Sequence, residues 1–178
     1  MRIVIPVMLA AVLSCLSASP QSDLPLPPDY RDWVFLSSGL GMNYTPTTGA
    51  AAENPPFQNV FVSRAGYQGF LKAGVWPDGT TFILEIRASQ SRGSINQSGH
   101  YQGAISAIEA EVKEHGQWTF YGFGRDEKQG KAFARTERCY SCHAENGAVD
   151  NTFVQFYPTL IPTAKSRGTY KAETEPHR

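Results

Sequence analysis

The chain has 178 residues, and its 16 Lys and Arg balance its 16 Asp and Glu to a formal net charge of zero. Such a balance supplies no basic field for nucleic acid and no strong attraction to anionic lipid, so no nucleic-acid partner is expected and a small molecule is. No internal repeat, heptad array or second apolar span is visible, which leaves one domain after the N-terminal segment.

That segment opens with Met1-Arg2 and an apolar run from Ile3 to Leu16, followed by Ser17-Ala18-Ser19-Pro20. One basic residue, an apolar stretch short for a bilayer span and small residues after it make the layout of a secretory signal. A buried first helix would show a polar face, and none is present. Two cleavage sites compete. Val12-Leu13-Ser14-Cys15 resembles a lipobox that would leave Cys15 lipidated, whereas a cut near Ala18 is favoured because Leu13 is a poor lipobox member.

After the polar, Pro-rich leader from Gln21 to Pro28, Asp29 can cap a short helix running to Gly39, with Trp33 and Leu36 on its inner side. Gly39 to Pro56 reads as a long loop carrying Met42, and Asn59-Val60-Phe61-Val62 as a strand. Ser63 then caps a helix from Arg64 to Ala73; Tyr67, Phe70 and Leu71 share a face and Gly74 stops it. Trp76-Pro77-Asp78-Gly79 makes a turn into a central strand from Thr80 to Arg87. Ser89 to Gly103 reads as an exposed loop. Ala104 to Lys113 alternates, and with a turn at His115-Gly116 it forms a hairpin with Trp118 to Phe123. Lys128 to Arg138 has helical propensity, and Asp150-Asn151-Thr152 can cap a further helical turn from Phe153 to Tyr157. Ala164 to Arg178 is charged and reads as a mobile tail. The class is α+β, with several antiparallel strands and a helical C-terminal end.

The chemistry lies in Cys139-Tyr140-Ser141-Cys142-His143, a C-x-x-C-H run. Two thiols three positions apart can add to the two vinyl groups of a protoporphyrin and hold the next residue, His143, beneath the iron as its axial ligand. This reads as the attachment site of one covalent haem c, with Cys139, Cys142 and His143 binding the cofactor and His143 the metal. A disulfide oxidoreductase would carry C-x-x-C after an early strand, and a zinc site would need two more ligands. Export agrees with haem c attachment in the periplasm. The domain plan is a signal over residues 1–18, or a lipoprotein signal ending before Cys15, a haem domain over 19–163 and a polar tail over 164–178.

No sulfur ligand follows Cys142. Met42 lies far upstream in a loop, where packing is the ordinary role of a methionine, and His100 and His115 sit in or beside polar loops. The iron is therefore expected to be five-coordinate, with an open face for a small ligand. The strand-like runs from Thr80 to Arg87 and Trp118 to Phe123 exclude a four-helix haem bundle.

The order of elements resembles the cytochrome P-460 family, which includes the beta-type cytochromes c prime. The resemblance rests on Trp33 through Tyr44, Asn59 through Val62, Phe70 through Thr80, Glu85-Ile86-Arg87, and Cys139 through His143 followed by Thr152-Phe153-Val154-Gln155-Phe156-Tyr157-Pro158. It implies a mostly antiparallel sheet with flanking helices, haem c on the C-terminal helical segment, and a homodimer. In catalytic members of the family a lysine is bonded to the porphyrin and hydroxylamine is oxidised, with a periplasmic cytochrome c accepting the electrons. Lys72 stands where that lysine would align, although a lysine in a last helical turn ordinarily complements the helix dipole in solvent.

A proton-accepting carboxylate is implied shortly after the haem motif, where Glu145 is the catalytic candidate and Asp150 reads better as a helix cap. The alternative implied by the family is a non-catalytic protein binding nitric oxide or another diatomic gas under phenylalanine side chains, with Phe35, Phe57, Phe61 and Phe82 as candidates. Hydroxylamine oxidation, with nitric oxide carried on toward nitrous oxide or nitrite, is expected ahead of gas binding.

Overall fold

The sheet is assembled around the longest strand, β5 (Tyr101–Glu114), whose alternation sends Ile108, Ala110 and Val112 to one side and Glu109, Glu111 and Lys113 to the other. The computed structural model describes residues 23–44, 53–124 and 128–175. The proposed export signal and Cys15 lie outside these residues.

Among the described residues the other strands are β1 (Leu24–Pro25), β2 (Val34–Leu40), β3 (Phe57–Val62), β4 (Thr81–Gln90), β6 (Gln117–Phe123) and β7 (Gln129–Ala132). They lie in the order β1-β7-β6-β5-β4-β3-β2, every neighbouring pair antiparallel. The expected hairpin is present: Glu114 pairs with Gln117, and the two residues between them, His115 and Gly116, have φ of 52° and 73°. Positive φ at both central positions gives a tight turn whose twist matches that of the strands.

Two helices frame the sheet. Helix α1 (Arg64–Ala73) begins with Ser63 accepting a hydrogen bond from the Gly66 amide and ends at Gly74, whose φ of 75° closes it with a bond to the Phe70 carbonyl. Helix α2 (Arg138–Asn146) carries the C-x-x-C-H run. The chain then makes a short 3-10 turn over Val154–Phe156, helix α3 (Ile161–Ser166), and a last turn over Ala172–Thr174.

Each sheet face has its own core. The front cluster joins Val62, Phe82, Trp118 and Phe120 to Phe70 and Trp76 and to Val154, Leu160 and Ala164 of the C-terminal segment. The back cluster joins Ile83, Ile108, Ala110, Tyr121 and Phe123 to Tyr30, with Leu24, Leu26 and Trp33 of the N-terminal segment packed on it. Complete burial of a side chain such as Val154 or Leu160 contributes about 1.5–3 kcal/mol. The C-terminal segment is thus pinned to the sheet by its own apolar residues.

Four local expectations are corrected. The helix from Asp29 to Gly39 is a single 3-10 turn at Tyr30–Asp32 followed by β2, because pairing with β3 overrides the weak i, i+3 signal of Trp33 and Leu36. Lys128 to Arg138 supplies β7, not a helix, since its backbone completes the sheet edge against β6 and β1. The loop from Ser89 to Gly103 is shorter than expected, as β4 and β5 extend into it and pair Gln90 with Tyr101. The tail is ordered through residue 175: Ala164 is fully buried, the Thr169 hydroxyl donates to the Gly74 carbonyl and the Lys171 amide to the Ala148 carbonyl.

Candidate haem site

Between the front face of the sheet and the C-terminal segment lies a cavity of about 440 Å³, within the range of small-molecule and cofactor pockets. Its walls are mainly aromatic and aliphatic, with Phe82 and Leu84 from β4, Phe120 from β6, and Phe133, Phe153 and Phe156 from the segments around α2. Cys139, Cys142 and His143 all open onto it. They stand at i, i+3 and i+4 of α2, a spacing that puts three side chains on one helical face. The two cysteines are not joined to each other in a disulfide.

The imidazole of His143 is held on three sides. Its ring packs against Phe120 at 4.6 Å and Phe153 at 4.3 Å between centroids, and its Nδ1 lies 3.0 Å from the Asn151 carbonyl oxygen. A proton on Nδ1 directed at that carbonyl leaves Nε2 with its lone pair free, the tautomer a metal ligand needs. Burial pushes the histidine down to about 4, so the ring is neutral at physiological pH.

The Asn151 carbonyl is delivered by a built turn. Val149 and Thr152 form an antiparallel bridge, and between them Asp150 and Asn151 both adopt positive φ, 49° and 58°, which Asp and Asn tolerate better than other side chains. Lys113 of β5 clamps the turn, its ammonium 2.5 Å from the Asp150 carboxylate and 2.7 Å from the Trp76 carbonyl. Trp118 Nε1 donates to the Asp150 carbonyl, and Trp76 Nε1 to the Thr152 hydroxyl. The tryptophan of the Trp76-Pro77-Asp78-Gly79 turn thereby reaches the site through Thr152. Gly147 lets this turn approach α2, because a Cβ there would lie 2.6 Å from the Thr152 amide nitrogen and 2.7 Å from the His143 carbonyl. Asp150 is therefore a turn clamp and not the expected side-chain cap of the following helix.

Two carboxylates project from β5 toward the cavity. Glu109 lies opposite Leu84, and Glu111 lies opposite Phe82 on one side and Phe120 on the other. Burial pushes the Glu109 carboxyl up. Glu111 is only 8% exposed, and burial, reinforced by the charges of Asp150 and Glu109, pushes it up to about 8. Its Oε2 makes no hydrogen bond, and His143 Nδ1 lies 3.5 Å from it.

The predicted haem-binding residues Cys139, Cys142 and His143 are brought together; Lys72 and Glu145 are not with them. Lys72 is exposed at the end of α1 and does not line the cavity. It follows the buried Phe70 by two positions, roughly 200° around the helix, so packing Phe70 inward turns Lys72 outward. None of the described residues lining the cavity is a lysine. Glu145 is exposed, two residues past His143 and likewise turned away. Of the four candidate phenylalanines only Phe82 lines the cavity; Phe35 and Phe61 pack edge-to-face on the back face. Met42 does reach the cavity, its sulfur fitted against Gly39, where a Cβ would lie 2.3 Å away.

Glu109 and Glu111 are the site residues that sequence reasoning missed. Their signal is the Glu-x-Glu-x-Lys alternation opposed to Ile-x-Ala-x-Val on the same strand, which puts three charges on one face.

Paired thiols and a neutral imidazole on one helical face, facing a largely apolar cavity, suit a haem. No curated protein shows significant similarity to the chain. The family model described as Cytochrome P460 matches residues 27–154, which include six of the seven strands among the described residues and all of α2. The chain belongs to the cytochrome P460 family, and its cofactor is a haem.

Proposed function

We propose that this protein carries one haem c, bonded through Cys139 and Cys142 with His143 as axial ligand, and that its cavity binds a diatomic gas, nitric oxide foremost. The observation that carries this reading is the cavity wall: Phe82, Leu84, Phe120 and Val60 line it, and none of the described lining residues is a lysine. When bound, the haem supplies an open coordination position and a route for electrons. The chain supplies a neutral, oriented imidazole, and a largely apolar wall that disfavours hydrogen-bonded ligands. On this reading Lys72 is a surface residue.

A second reading, hydroxylamine oxidation, is favoured by Glu109. Oxidation of hydroxylamine releases protons with its electrons, and a carboxylate raised by burial is suited to accept them. Glu109 takes the role expected of Glu145, and a periplasmic cytochrome c would accept the electrons. Both readings place the protein outside the cytoplasm and pair it with a second copy of itself.

The two separate in one assay on haem-loaded protein. Ferrous protein titrated with nitric oxide gives a stoichiometric optical change, and ferric protein given hydroxylamine and a dye acceptor shows no sustained turnover. Sustained dye reduction that Glu109→Gln abolishes would put the oxidase reading first.

A further inference from the structure

We propose that Glu111 is a positioning residue for His143, a second acceptor for the Nδ1 proton that works with the Asn151 carbonyl to set how strongly the imidazole donates to the haem iron. The proposal rests on the haem reading above and is independent of which ligand the open face takes.

Three observations carry it. The first is distance: Glu111 Oε2 lies 3.5 Å from His143 Nδ1, and the Asn151 oxygen 3.0 Å. A carboxylate moving a few tenths of an ångström would share the proton between two acceptors.

The second is the absence of any other purpose for the buried oxygen. Oε2 has no hydrogen-bond partner, and buried polar atoms in native proteins are nearly always satisfied. The nearest cation on the same strand face, Lys113, is bound to Asp150 and to the Trp76 carbonyl. A glutamate in this place gains nothing for stability that an apolar residue would not give. Its place next to His143 then points to that residue.

The third is shared packing. Strand register sets Glu111 beside Phe120, and the Phe120 ring is one of the two that pack on the imidazole. Carboxylate and histidine are held against the same wall, away from water that would otherwise solvate the carboxylate.

The chemistry follows from the second coordination shell. A second oxygen acceptor on Nδ1–H gives the ring more imidazolate character, strengthens its bond to iron and favours the ferric state; the backbone carbonyl alone does so more weakly.

The test uses haem-loaded wild type, Glu111→Gln and Glu111→Leu, read by midpoint potential and by the iron–histidine stretching band of the ferrous protein. Both variants are expected to shift the potential upward and the band downward, with Leu shifting further than Gln, at unchanged haem content. Wild-type values in either variant overturn the proposal. A raised potential with an unmoved band would reduce Glu111 to a through-space charge and overturns it too. The haem reading fails separately: a wild-type protein without covalent haem shows this in its pyridine haemochrome spectrum before any variant is made, and then both fall.

Discussion

Two buried glutamates on neighbouring strands, facing opposite sides of the sheet, are treated in opposite ways. On the back, Glu85 of β4 is 2% exposed and receives hydrogen bonds from the Tyr30 hydroxyl, the guanidinium groups of Arg31 and Arg87, and the Asn59 amide. Burial alone would raise its carboxyl, but these donors and the Arg87 charge overcome that and hold it down to about 2. On the front, Glu111 of β5 is almost as buried, has one oxygen without a partner and is pushed up to about 8. A satisfied buried charge fastens elements together: Glu85 ties the N-terminal turn to β3 and β4. A buried carboxyl with an unpaired oxygen costs stability and is found where the structure serves a ligand.

The largest effect expected on the front face is all-or-none. Cys139→Ala with Cys142→Ala abolishes covalent haem attachment, read as loss of the haem mass from the intact chain, while the sheet's circular dichroism is retained.

On the back face, Glu85→Ala leaves two guanidinium groups facing a cavity and costs about 3 kcal/mol in urea unfolding. The same group governs the acid limb of stability. Its folded value lies below the ordinary 4.5, so its contribution is complete above about pH 4.5 and is lost as pH falls toward about 2. Because Arg31 is half exposed, the loss across that window is about 2 kcal/mol, and Glu85→Gln flattens the stability–pH curve there.

The matched substitution on the front breaks nothing comparable. Glu111→Gln changes the stability of the haem-free protein by less than about 1 kcal/mol, since no hydrogen bond of its Oε2 is lost. A cost equal to that of Glu85→Gln would erase the contrast between the two faces.

Much of this architecture is legible in the residues. Ser63 and Gly74 bound α1, the runs at 57–62, 80–87 and 118–123 are β-rich, and the spacing of Cys139, Cys142 and His143 puts them on the one helical face that opens onto the cavity. What is not legible depends on partners distant in sequence. β7 has the composition of a helix and becomes a strand because β6 and β1 offer it an edge. Glu109 and Glu111 alternate with apolar residues as on any half-exposed strand; only the packing of α2 and residues 149–157 over that face turns a solvent side into a cavity wall. The outward phase of Lys72 is not legible either, because likeness of local sequence does not fix helix phase, whereas the inward turn of Phe70 does.

The smallest effect expected is also the most decisive. The optical spectrum and intact mass of haem-loaded protein, with Lys72→Ala beside it, test whether the cavity holds an ordinary haem c with an open face. The expected result is a five-coordinate ferrous haem c spectrum identical in the two proteins, with stability unchanged within about 0.5 kcal/mol. A strongly red-shifted ferrous Soret band that reverts to ordinary haem c in Lys72→Ala would contradict it, because the surface lysine would then have to reach the porphyrin.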